Sequence, residues 1–117
     1  MGRRYVFTAA GVVLLAGAIG YGVVAVAAAG AAGPSTASVV VKRVYVPPVV
    51  AVATGGKVIW SFEDGKTAHT VTADDNSFGS PANGQKTGTF EHVFTEPGTV
   101  RYHCDFHPGQ VGIVNVS

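Results

Sequence analysis

The 117-residue chain has one cysteine, Cys104, and one methionine, Met1. A single cysteine excludes an internal disulfide, so no disulfide framework holds this fold. Charge is scarce as well. After Arg3 and Arg4 no charged residue occurs until Lys42. Beyond that point Lys42, Arg43, Lys57, Lys66, Lys86 and Arg101 stand against seven acidic residues. That near balance leaves no basic patch and argues against a nucleic-acid partner. No internal repeat is present, and no stretch after residue 33 carries a helical period.

The uncharged stretch is itself informative. Tyr5 to Ala32 is almost wholly Ala, Gly, Val, Leu and Ile. Roughly 20 apolar residues span a bilayer as a helix, whereas the core of a cleaved signal needs only about 7–15. The length predicts a transmembrane helix that anchors the chain, with Arg3 and Arg4 keeping the N-terminus cytoplasmic. A small-x-small site at Ala25-Val26-Ala27 leaves a cleaved signal as the alternative. In both cases the remainder is exported to the periplasmic or extracellular side. The expected organisation is an anchor or signal over residues 1–33, a linker over 34–37 and one folded domain over 38–117.

That domain reads as all-β. Val39 to Val46 is rich in β-branched residues and stops at Pro47-Pro48. Val49–Ala53, Lys57–Phe62, His69–Thr72, Thr89–Phe94, Val100–Cys104 and Gly112–Val116 follow, separated by Gly, Pro, Asn and Asp. Asp74 to Gly88 reads as a long loop. Short strands punctuated by turn signals indicate a sandwich. Period-2 alternation places Tyr102 and Cys104 on one face and Arg101 and His103 on the other. Tyr102 is the natural core residue, so Cys104 points inward.

The chemistry concentrates in Tyr102-His103-Cys104-Asp105-Phe106-His107-Pro108-Gly109-Gln110, with His69 upstream. A thiolate, two imidazoles and a weak axial oxygen or sulfur ligand form a set that holds electron-transfer copper. Cys104-x-x-His107 places two ligands on one tight loop, and Pro108-Gly109 bends it so that Gln110 returns toward the metal. Taken singly the pieces are ambiguous. A free cysteine is most often a small buried hydrophobe, and His69 suits a turn equally well. A structural zinc site would need four firm Cys or His ligands, and three are at hand. His92 reads as structural, His103 as a surface residue, Trp60 as core and Asp74-Asp75 as a turn. Phe106, Pro108 and Val111 suit either an apolar docking face or ordinary exposed positions.

The ordered set of motifs is more specific. Tyr45-Val46-Pro47, Val52-Ala53-Thr54-Gly55, Val58-Ile59-Trp60, His69-Thr70-Val71-Thr72-Ala73-Asp74-Asp75, Ser77-Phe78, Phe94-Thr95-Glu96-Pro97-Gly98-Thr99 and Tyr102-His103-Cys104-x-x-His107-Pro108 run in sequence. This series resembles the small blue copper proteins, the cupredoxins, in their plastocyanin- and amicyanin-like branch. It covers nearly all of the chain after the linker. The resemblance implies a Greek-key sandwich of about seven to eight strands. It implies one copper ion bound by His69, Cys104 and His107, with electrons leaving through the exposed edge of His107 to redox protein partners docked there.

Two positions depart from the family. Gln110 stands where methionine is usual. Its amide oxygen is a harder ligand that favours the oxidised ion and predicts a lowered reduction potential. Phe62 stands where many relatives carry an asparagine that braces the ligand loop, and a phenyl ring cannot hydrogen-bond. The expected function is type 1 copper electron transfer by a monomer that is not itself an enzyme. The alternative is a copper-binding or delivery module, or a redox-altered domain of the same fold. Delivery proteins usually carry methionine-rich or multi-cysteine sites, which this chain lacks.

Overall fold

The computed structural model describes residues 34–117. The expected anchor or signal over residues 1–33 lies outside the described residues. Among the described residues no helix is long and apolar enough to cross a membrane. Eight strands follow one another: β1 Thr36–Val41, β2 Tyr45–Val46, β3 Val49–Val52, β4 Lys57–Phe62, β5 Thr72–Ala73, β6 Thr89–Val93, β7 Gly98–His103 and β8 Val111–Val116. The all-β expectation holds. The first strand begins at Thr36, inside the segment read as linker. The run from Val39 to Val46 is two strands, because the chain reverses at Lys42-Arg43-Val44 and pairs Val40 with Val46 and Val41 with Tyr45. No Gly or Asn marks that reversal, so β-branched content alone read as one strand.

The strands form two four-stranded sheets, ordered β2-β1-β4-β6 and β3-β8-β7-β5. In the first, β1 runs parallel to β4 and β4 antiparallel to β6. In the second, β3 runs parallel to β8, and β7 lies antiparallel to both β8 and β5. Alternation decides which side chains enter the core. β4 buries Val58, Trp60 and Phe62, and β8 buries Gly112, Val114 and Val116. Tyr45, Trp60 and Tyr102 are the largest fully buried side chains. Trp60 meets Tyr102 edge-on at 5.3 Å, and Tyr102 meets Tyr45 at 4.6 Å between ring centroids. Burying one such indole contributes about 4–6 kcal/mol of gross hydrophobic stabilisation.

Tyr102 needs a bare backbone opposite it, and β8 supplies Gly112 at that register position. A methyl group there would lie 2.3 Å from Tyr102 Cζ. Burial pushes the Tyr102 phenol up to about 12, with the nearby Trp60 indole N–H drawing it slightly back. The two approach without hydrogen-bonding geometry, and neither Tyr102 Oη nor Trp60 Nε1 has a partner among the described residues. At the other end of this aromatic core, Phe78 stacks on His92 at 4.4 Å, and Phe94 meets His92 edge-on. Desolvation in this stack lowers the His92 pKa. His92 is thus a packing residue, as its alternation with Phe90 and Phe94 suggested.

Candidate metal centre

Three segments build the site. The first carries His69, which is fully buried. His69 is not inside a strand. It forms an isolated bridge with Gln85, each backbone N–H donating to the other's carbonyl at 3.0 and 2.9 Å. The same edge continues as Ser80, whose N–H donates to Val71 O and whose Oγ accepts from Val71 N–H, both at 2.8 Å. The long Gly/Ser/Asn segment is therefore the wall that fixes His69, although it has no regular strand of its own.

The second segment is the loop between β7 and β8. Cys104 follows β7 directly and is 4% exposed. Its N–H donates to Gln110 O at 3.0 Å, and Gln110 N–H donates to His107 O at 3.0 Å. The loop is thereby closed on itself, which brings Cys104, His107 and Gln110 to one end of the sandwich. Phe106 lies over Gly84 so closely that a Cβ there would fall 2.7 Å from the ring.

The third segment, the turn after β4, carries Asp64. Thr67 N–H donates to Asp64 O at 3.1 Å, and Gly65 has a positive φ of 61°. This tight reversal turns the Asp64 carboxylate back, where it accepts from His69 Nε2–H at 2.6 Å. In the sequence, Asp64-Gly65 is simply one of the Asp and Gly separators between strands. An Asp-Gly turn five residues before a ligand histidine was the available signal, and nothing in it specified the contact.

The expected donors converge. Ligand atoms of His69, Cys104 and His107 all lie within 4.8 Å of one another. Cys104 Sγ is 3.9 Å from His69 Nδ1 and 3.4 Å from His107 Nδ1. Nitrogen at about 2.0 Å and sulfur at about 2.3 Å from one shared ion, spread trigonally, stand roughly 3.8 Å apart. The observed separations match that spacing. Gln110 is buried, and its Oε1 lies 2.9 Å from His69 Nδ1.

The hydrogen bonds test whether these atoms suit a metal. Asp64 accepts from His69 Nε2–H, and a neutral imidazole with its proton on Nε2 has its lone pair on Nδ1. Gln110 Nε2 donates to Lys42 O at 2.7 Å, which turns Oε1 inward. Two acceptors, Nδ1 and Oε1, then face each other beside a sulfur. Converging lone pairs of this kind are satisfied by a cation. Thiolate, imidazole and amide together suit copper in both oxidation states. Thr70 N–H and Phe106 N–H each point at Cys104 Sγ at 3.4 Å and complement a thiolate's charge.

Phe62 is buried in the core and contributes no hydrogen bond to the loop. Thr70 supplies the brace in its place. Its Oγ1 accepts from Asp105 N–H at 2.8 Å, and its carbonyl accepts from Tyr45 Oη–H at 2.7 Å. Thr72 Oγ1 adds a donation to Asp105 at 2.9 Å. His103 faces outward between Asp74 at 2.6 Å and Asp105 at 3.1 Å. It lies on the opposite face of β7 from the donors, as alternation required. The hydrogen bond that His103 Nδ1–H donates to Asp74 is the main cause of its raised pKa.

No protein-family model matches the chain, and no curated protein matches it. Solved structures do. A purple cupredoxin from Nitrosopumilus maritimus shares 32% identity at a TM-score of 0.63, over 69% of this chain and 99% of that one. An amicyanin mutant with glutamine in place of a methionine, solved with Cu(I), shares 28% identity at a TM-score of 0.59, over 71% and 83% of the two chains. Plastocyanin from Dryopteris crassirhizoma, at 18% identity and a TM-score of 0.61 over 68% and 99%, shows the same fold. With a soft three-donor cluster at one end of this sandwich, and a solved relative spanned almost end to end, the chain belongs to the cupredoxins, and its site takes a single copper ion.

Proposed function

We infer that this protein is a type 1 copper electron carrier in which Gln110 is the axial ligand. The observation that carries the reading is the orientation of the Gln110 amide. Its nitrogen is committed to Lys42 O, and its oxygen is left facing His69 Nδ1. Bound copper supplies one-electron cycling between Cu(I) and Cu(II).

The chain's own residues hold the donors so that little rearranges when the charge changes. His69 is locked by the Gln85 bridge and by Asp64, Cys104 by two N–H groups, and the loop by Thr70. A harder amide oxygen favours the oxidised ion, so the site has a lower potential than a methionine relative. Catalytic metal sites keep a coordination position open for substrate. Here a fourth donor occupies that side, which supports a carrier over an enzyme.

His107 is half-buried and forms the exit for electrons. On the same loop Phe106 is 45% exposed, and Val111 beyond it is 60% exposed. These residues form the docking face for redox protein partners. The apolar segment over residues 1–33 tethers the domain on the outer side of the membrane, or is removed on secretion.

The test is the visible and electron paramagnetic resonance spectrum of the full-length chain after one equivalent of Cu(II). An intense thiolate-to-copper band, bleached reversibly by ascorbate, is expected. A pale spectrum without that band refutes the reading.

A further inference from the structure

We propose that Asp64 is a positioning residue of the metal centre that acts through His69 and biases bound copper toward Cu(II). The inference rests on the copper reading above and adds a determinant outside the ligand set.

The geometry gives Asp64 two roles. As an acceptor at 2.6 Å it fixes the ring rotation of His69 and keeps the proton on Nε2, so that Nδ1 is the donor. A ligating histidine needs such a partner, and a carboxylate is the strongest common one. As a charge it sits directly behind the imidazole. The His69 side chain is 1% exposed and the Asp64 side chain only 24%, so water screens the pair poorly. Oxidation adds one positive charge to the ion. A negative charge held nearby therefore stabilises the oxidised state more than the reduced one.

The turn makes this contact a built feature. Asp64 leads a reversal closed by Thr67 N–H and permitted by Gly65. Among the described residues no other carboxylate hydrogen-bonds His69.

The experiment compares the full-length protein with Asp64→Asn and Asp64→Ala. Asparagine still accepts from Nε2–H, so it removes the charge and keeps the ring orientation. The expected result is an approximately tenfold fall in the ratio of Cu(II) to Cu(I) affinity, a rise in potential of about 59 mV for a one-electron couple. Alanine removes both roles, and its Cu(II) affinity falls roughly 10–100-fold. Far-UV circular dichroism establishes that each variant keeps the β fold, so that a merely structural role is separated from a redox one. A wild-type protein that develops the thiolate band, with Asp64→Asn at the same potential, overturns this inference and leaves the copper reading standing. A wild-type protein with no thiolate band overturns both.

Discussion

Replacing Thr70 by valine tests the brace that this chain uses where relatives use an asparagine. Valine has nearly the same shape, so packing is kept and only the hydroxyl is lost. In the wild type that hydroxyl is fully buried, accepts Asp105 N–H at 2.8 Å and hydrogen-bonds Thr72 Oγ1 at 3.1 Å. Its loss strands a donor that the folded loop partly shields from water. A stranded buried donor costs about 1–3 kcal/mol. For a domain of this size each kcal/mol moves the melting temperature by about 4–8 °C. Thermal unfolding of metal-free Thr70→Val should therefore fall by on the order of 10 °C. Thr99→Val, which removes an exposed bond to Asn115, is the control and should lose far less. A Thr70→Val protein within about 0.5 kcal/mol of wild type, the range of an ordinary surface change, would refute the assignment of the brace.

Tyr102→Phe deletes a buried hydroxyl that lacks a partner and should stabilise the domain by about 1 kcal/mol; an unchanged or lower urea midpoint counts against this. Gly112→Ala forces a methyl to 2.3 Å from the Tyr102 ring and should cost about 1–3 kcal/mol by overpacking, read from the same denaturation curve. Gln110→Met should raise the potential, with a tenfold change in relative affinity corresponding to about 59 mV; no rise in a spectroelectrochemical titration would sink the axial assignment. His92 should titrate below its ordinary 6.5 because the Phe78 stack desolvates it. Its contribution to stability is then present above 6.5 and lost as the pH falls through the lowered value. Ring-proton NMR giving a value at or above 6.5 contradicts this.

Much of the architecture was legible because alternation is a local property. Tyr102 and Cys104 inward, and Arg101 and His103 outward, followed from spacing alone. The donor set was legible for a different reason: Cys104, His107 and Gln110 are close in sequence, and a single upstream histidine fitted them. What was not legible depends on contacts between distant segments. The reversal at Lys42-Arg43-Val44 carries no turn residues, and it is set by β1 pairing back onto β2. Asp74 to Gly88 looked like plain loop because its role is to present backbone groups to His69 and Val71. Asp64 and Thr70 each act through a single polar side-chain group, and no periodic pattern announces its partner.

The two halves of the donor set meet only through a long-range pairing. Cys104 and His69 are separated by 35 positions, and only closure of β7 against β5 places them side by side. A chain that has not yet closed offers Cys104 and His107 without His69, a weak and accessible pair. Once closed, the sulfur is 4% exposed and flanked by two N–H groups. Oxidants and stray thiols therefore have their best access to this lone cysteine during biogenesis. Full-strength copper capture reports that folding is complete. Any change that slows the closing of β5 onto β7 should lower the yield of metallated protein even where the finished site is unaltered.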